Sequence, residues 1–467
     1  MLKQRLRHPL VALVLATLLT VPWVGVEFLG GPDGVGLSTF WTVVVTGVAV
    51  LGASFMLAWG AETAEKDVPR AFAIAVLAVL AVAPEYAVDA LYAWQAGAGE
   101  ATAQACTASN LETATQATKD ACNSGNLAIA NMTGANRILI GLGWSGIALF
   151  TIYRAGSERD TSVEKRSGFL ASKVHLDRDI GLEIAFLLVA TVFAFTVPFL
   201  GGIDVIDTIV LLGLYIAYIA IIVRGDVEEG EEQVGVPAYL QKRPFLVRSS
   251  ISILLFAYSA VMIYTAVHPF ATGLEHLGQD LGIPEFFMIQ WIAPLASESP
   301  ELIVVAYLVN KARSTAGFNA LISSKLNQWT LLIGTLAIVY SIALGAVGTL
   351  PFDEKQMAEI WITAAQSLFA IAIITNFEIS VREAVVLLVL FVSQVVGEYA
   401  IIVAMGETPA ANELSIALLY AYTALYLAIS LVLFWMRRDE LARIFRQSAG
   451  TARDAFSSGT APAEGAD

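Results

Sequence analysis

Residues 286–309 read FFMIQWIAPLASESPELIVVAYLV, and residues 77–94 read LAVLAVAPEYAVDALYAW. Each places a proline–glutamate pair, Pro300–Glu301 and Pro84–Glu85, deep inside an apolar run. A charged residue at the centre of a membrane helix costs roughly 2.5–3.5 kcal/mol on insertion scales, so such residues are rare and tied to ion pathways. Two of them, each behind a helix-breaking proline, point to a working site.

The rest of the chain supports a membrane reading. Of its 467 residues 57% are hydrophobic and only 15% are charged, against about 25% charged in soluble proteins. The formal net charge of −14 excludes a basic nucleic-acid surface. Part of the acidic excess falls in the run DVEEGEE, residues 226–232, read as a solvated loop. No nucleotide-binding GxxxxGK[ST] motif and no Gly-x-Ser-x-Gly elbow occurs, and the four histidines suggest no metal cluster.

Apolar runs and their breaks predict twelve spans, at 10–29, 38–60, 69–94, 125–152, 181–200, 204–223, 247–268, 283–309, 318–347, 357–376, 382–404 and 413–436. The expected fold is an all-α polytopic membrane protein. Lys66, Arg70, Arg154, Arg159, Lys165, Arg166, Lys173, Arg178, Arg224, Lys242, Arg243, Arg248, Lys311, Arg313, Arg382 and the tail from Arg437 to Arg453 then fall on one side. Only Lys119 and Lys355 fall in loops on the other. By the positive-inside rule both termini are cytoplasmic, in a membrane expected to be the plasma membrane of a prokaryote. Cys106 and Cys122 share an outside loop, 95–125, where a disulfide is expected and two free thiols are the alternative. Arg137 and Lys325 are left at membrane depth. Glu398 is expected at the outer mouth, Glu378 in a cytoplasmic turn, and the stretch after Arg453 is read as disordered.

The two proline–glutamate spans are the third and the eighth. Five spans apart, they cross in opposite senses, and each is followed by a span with unusual amides: Asn126, Asn131 and Asn136, then Asn327 and Gln328. Inverted repeats with interrupted helices are an architecture of secondary transporters. A proline cannot donate its backbone hydrogen bond, so a carbonyl one turn earlier is freed beside the carboxylate. That makes an oxygen-lined site suited to a hard cation.

At these residues the chain resembles the sodium/calcium exchanger family, within the wider cation/calcium exchanger superfamily. Ala296-Ser297-Glu298-Ser299-Pro300-Glu301-Leu302 is similar to the family's Gly-Thr-Ser-x-Pro-Glu motif, and Leu80-Ala81-Val82-Ala83-Pro84-Glu85 is a more distant copy. Ala130-Asn131-Met132-Thr133-Gly134-Ala135-Asn136 is similar to its Gly-Asn-x-x-Gly-Ser-Asn motif, and Ser323-Ser324-Lys325-Leu326-Asn327 is again more distant. The resemblance covers about 38–404. It implies two inverted five-helix repeats, at 38–223 and 247–404, joined by a cytoplasmic acidic loop at 224–246. One extra helix lies at each end, within 1–37 and 405–436, and a cytoplasmic tail follows at 437–467.

The resemblance also implies a secondary active cation antiporter, not an enzyme, with alternating access around midplane glutamates. The expected cation ligands are Glu85, Asn131, Glu298 and Glu301. Asp89, Asn136, Lys325, Asn327 and Gln328 are expected along the ion pathway. The bland reading of Glu85 and Glu301 is an interhelical ion pair with Arg137 or Lys325. No resident cofactor is expected; the partners are the bilayer and the transported cations, Ca2+ or Na+ against Na+ or H+. The chain departs from the family where hydroxyls are missing before Pro84, where Glu298 replaces a serine, and where Lys325 appears. These changes keep a sodium/proton antiporter without calcium transport as the alternative, with a cation channel or an intramembrane enzyme behind it.

Overall fold

Apolar runs of 20 residues or more have one stable form in lipid, the helix, because every backbone polar group must be satisfied within the segment. The computed structural model describes residues 9–64, 66–67, 83–154, 160–167, 170–224, 235–310, 312–406 and 408–457. Its long helices are α1 (Pro9–Phe28), α2 (Thr39–Ala64), α3 (Ala83–Ala98), α4 (Gln116–Arg154), α5 (Gly181–Ala194), α6 (Val205–Arg224), α7 (Phe245–Leu281), α8 (Glu285–Asn310), α9 (Ser314–Leu344), α10 (Glu354–Ile374), α11 (Val381–Met405), α12 (Pro409–Met436) and α13 (Arg438–Ser457). Among the described residues ten are long and apolar enough to cross a membrane, and bent α8 brings the number to eleven. Helix α3 is the described end of the span expected at 69–94; residues 68–82 lie outside the described residues, as do 225–234 of the acidic loop.

The same packing occurs twice with the halves exchanged. Helix α3 packs on α4 and α9, and α8 packs on α9 and α4. Helices α5 and α6 lie against α9, while α10 and α11 lie against α4. Both inner helices break α-helical register at matching places, with π turns at Leu139–Trp144 in α4 and Gln328–Leu332 in α9. Such π turns are rare and collect at functional sites. Helices α2 and α7 pack along each other, α1 covers α2, and α12 covers α10. Residues such as Leu15, Leu18, Val389 and Leu431 remain exposed on the outer helices, as lipid-facing positions should be.

Two short sheets tie the halves together at the helix ends. Strands β1 (Val163–Glu164), β2 (Lys173–His175) and β5 (Glu378–Ser380) form one, and β3 (Gly202–Ile203) and β4 (Leu350–Pro351) form the other. Glu378, expected in a turn, pairs opposite His175 in β5 and forms an ion pair with Lys173. Cys106 and Cys122 are joined as a disulfide, at the end of the bundle where Asn126 bonds Asp353 at 3.0 Å.

Three expectations change. Helix α7 does not stop at 268 but runs through Pro269 to Leu281, because a proline removes one hydrogen bond and need not end a packed helix. The chain past Arg453 continues as helix to Ser457, with Ala455 buried and Phe456 under the Arg224 guanidinium; residues 458–467 lie outside the described residues. Lys355, expected in a loop, is buried in the first turn of α10, 2.9 Å from Glu398 Oε1. Glu398 is likewise buried.

Candidate cation site

Pro84 and Glu85 stand at the described end of α3, and a proline withholds the backbone hydrogen bond from the carbonyl four residues earlier. In α8 the axis turns by 51° between Glu285–Ser299 and Glu301–Asn310. A proline at 300 withholds the α-helical hydrogen bond from the carbonyl of Ala296. The carbonyls expected to be freed by Pro84 precede residue 83 and lie outside the described residues.

The acids of α3 and α8 lie near one another where the two helices pack. Glu85 is buried and lies within Coulombic reach of Glu301, and buried Glu298 within reach of both and of Lys325. Ser324 donates to Glu301 Oε2 at 2.9 Å, and Gln328 donates to Glu298 Oε1. One turn along α3, buried Asp89 accepts a 2.8 Å bond from Asn131 of α4. Lys325 donates to Asn136 Oδ1 at 2.6 Å and to its carbonyl at 3.3 Å. Asn327 is buried at the last α-helical position before the π turn of α9.

The four expected ligands are therefore not one closed cage. Glu85, Glu298 and Glu301 lie near one another, while Asn131 is turned to Asp89. Among the described residues no three acidic, histidine or cysteine groups could by themselves hold a metal ion. The unpartnered atoms are informative. Asp89 Oδ2, Asn131 Oδ1, Glu298 Oε2, Gln328 Oε1 and Gln290 Oε1 are buried oxygens without a hydrogen-bond donor. Buried polar atoms are nearly always satisfied, and a surplus of carboxylate and amide oxygens is the donor chemistry of a hard cation.

A polar stripe leads out from this place along α3. Asp89 is followed by Tyr92, whose hydroxyl donates to Glu275 of α7 at 2.7 Å. Glu275 lines a cavity of about 600 Å3 together with Gln95, Asp120 and Glu285. An acidic mouth of this kind concentrates cations.

Arg137 takes no part in the acid cluster. It forms a buried ion pair with Glu359 of α10, donates to Gln394 of α11, and stacks 5.0 Å from the Trp291 ring. Gln394 in turn donates to Glu398 at 3.1 Å. Ser324, Gln290 and Glu359 escaped sequence reasoning. Ser324 lay inside the motif but carried no charge, and Gln290 is one neutral amide in an apolar run. Glu359 fell near an expected span boundary, where an acid reads as solvated.

The sequence and fold now have counterparts among known proteins. A family model for sodium/calcium exchanger proteins matches residues 38–224 and 251–400. Among solved structures, the chain is similar to the crystal structure of an H+/Ca2+ exchanger, CAX, at 38% identity over 95% of this chain and 98% of that one, with a TM-score of 0.77. It also shares its fold with the Ca2+/H+ antiporter protein YfkE, at 13% identity over 83% of this chain and 98% of that one, with a TM-score of 0.53. No curated protein sequence matches the chain. With the family match covering both halves, and with the acids of α3 and α8 set where that match runs, the chain belongs to the sodium/calcium exchanger family.

Proposed function

We propose that this protein is a secondary active antiporter that carries Ca2+ against H+ through the site built by α3, α4, α8 and α9. The observation that carries this reading is the clustering of acids where α3, α4, α8 and α9 pack, with Asp89 bonded by Asn131, Glu301 by Ser324 and Glu298 by Gln328. The 38% identity to an H+/Ca2+ exchanger over nearly the whole chain supports calcium and proton as the exchanged ions. Carboxylates in a dry site are too costly to stay charged and empty. They hold either a cation or protons when the carrier turns over, and that requirement couples the two fluxes.

Alternating access follows from the two-half plan, read as inverted repeats around the midplane. Helices α2 and α7 pack on each other and meet the site chiefly through α3 and α8, so they are the pair best placed to slide. The basic residues of the loops support cytoplasmic termini in a prokaryotic plasma membrane. The Cys106–Cys122 disulfide supports an oxidising compartment on the other side.

The test is 45Ca2+ uptake into proteoliposomes under an imposed pH gradient, an imposed Na+ gradient, or neither. Uptake driven by the pH gradient and abolished by Glu85→Gln and by Glu301→Gln is the expected result. Uptake driven only by Na+ would replace the proton with sodium as the counter-ion. Na+/H+ exchange without calcium flux would establish the alternative antiporter, and full uptake in both variants would overturn the site assignment.

A further inference from the structure

We infer that Lys325 is a resident cation of the site: its ammonium permanently fills a subsite made by Asn136 and the Trp329 ring, with Glu298 as its longer-range counter-charge, leaving the exchanged ions to the Glu85, Asp89, Asn131 and Glu301 side. This inference deepens the proposed transport function and rests on it for the identity of the exchanged ions.

The geometry is specific. Lys325 is fully buried, and its Nζ lies 2.6 Å from Asn136 Oδ1 and 3.3 Å from the Asn136 carbonyl. The Asn136 amide is held by a 2.8 Å bond from Nδ2 to the Met132 carbonyl, which turns its oxygen toward the ammonium. The Trp329 ring closes another side, 4.4 Å from Nζ to the centroid, an arrangement that favours a cation. Glu298, buried on α8, is not in ion-pair contact with Nζ but acts on it at longer range, with one of its oxygens bonded by Gln328 and the other unpartnered. Two amide-group oxygens, an aromatic face and a nearby carboxylate are what a small bound cation would be given, and here the chain supplies the cation itself. Arg137 cannot serve in this role, because it is committed to Glu359 and Gln394.

The same logic explains why Glu298 and Lys325 occur together. An extra buried acid needs a counter-charge, and a tethered ammonium provides it without drawing another exchangeable ion into the cycle. Removing the ammonium while keeping the acid should open the subsite to a small monovalent cation. Removing both should close the matter again.

Calcium uptake is measured with Na+ or with choline as the only monovalent cation, for wild type, Lys325→Met, Lys325→Arg and Lys325→Met/Glu298→Gln. Wild type and Lys325→Arg are expected to ignore the choice. Lys325→Met is expected to lose at least severalfold in choline and to regain rate in Na+. The double variant is expected to lose that Na+ dependence. In parallel, 22Na+ binding to the detergent-solubilised proteins is expected only for Lys325→Met, a readout that stands whether or not calcium proves to be the cargo. The inference is overturned if Lys325→Met binds no 22Na+ while remaining monodisperse with a cooperative melt, or if wild type binds it equally well. A Lys325→Met protein that does not fold, but is restored by Glu298→Gln, supports the counter-charge; one that stays unfolded with Glu298→Gln and folds as Lys325→Arg/Glu298→Gln assigns the lysine a packing role and overturns it.

Discussion

Asn131 of α4 donates a 2.8 Å hydrogen bond to Asp89 Oδ1 of α3, and each side chain keeps one buried oxygen without a partner, Asn131 Oδ1 and Asp89 Oδ2. The contact joins the two motif helices of the first half and presents two acceptors one helical turn from Glu85. Asp89→Asn keeps the size and removes the charge. Its expected effect is a loss of roughly 10- to 100-fold in calcium affinity, the range typical when a metal site loses a supporting partner. The concentration dependence of 45Ca2+ uptake measures it, and an unchanged half-saturation would remove Asp89 from the pathway.

Gly134 sets the approach of α4 to α8. A Cβ built there would run into the backbone carbonyl oxygen of Gln290, and backbone cannot swing aside as a side chain can. Close approach through small residues is how membrane helices gain packing. Gly134→Ala is expected to destabilise by about 1–3 kcal/mol or more, the usual cost of overpacking, and to abolish transport by parting α4 from α8. Gly146→Ala, on the same helix with nothing within 4 Å of the new methyl, is the control and should melt at or above the wild-type temperature in detergent.

The Arg137–Glu359 ion pair is buried on both sides, at 1% and 0% side-chain exposure. Removing one partner from such a pair typically costs about 3–5 kcal/mol, because the other charge is stranded. Glu359→Gln and Arg137→Gln are each expected to lower the melting temperature and the yield of monodisperse protein. The double variant is expected to recover a large part of the loss, a coupling that a double-mutant cycle reads directly. Strict additivity of the two single effects would show that the pair is not coupled.

The disulfide predicts the sidedness of the chain. In intact cells a membrane-impermeant maleimide is expected to label neither Cys106 nor Cys122 until an impermeant reductant is added outside, and then both. Non-reducing and reducing gels of the wild type, but not of Cys106→Ser/Cys122→Ser, should differ in mobility after labelling. Labelling that requires lysis would place the loop on the other side of the membrane.

A clasp between the turn at Asp67 and the first helical turn of α7 gives a pH signature. Arg248 Nε lies 2.7 Å and 2.6 Å from the two oxygens of Asp67, and that hydrogen-bonded guanidinium holds the Asp67 carboxyl below its ordinary value of 3.8. A depressed carboxylate contributes stability that is complete above its unfolded-state value and is lost as pH falls through its folded-state value. The difference in melting temperature between wild type and Asp67→Asn is therefore expected to be constant near neutrality and to shrink below about pH 4. A difference that persists to pH 3 would mean that the charge of Asp67 is not what the clasp uses.

The sequence by itself determined the helical membrane fold and the acids worth watching. Lipid forces this legibility: a run without water to bond must be helical, and an acid inside it is conspicuous by its cost. Hence Glu85, Glu298 and Glu301 could be named from spacing and motif alone, and the disulfide from the side its loop falls on. The tertiary structure decided which charges meet. Arg137 and Glu359 are 222 residues apart, and nothing in two apolar helices says which faces will touch, since lipid is as apolar as their flanks. That freedom is why Asn131 turned out to serve Asp89, why Lys355 is buried on Glu398 instead of lying in a loop, and why Lys325 bonds Asn136 across the interface of α4 and α9. Composition marks a residue as expensive; only packing shows what offsets the expense.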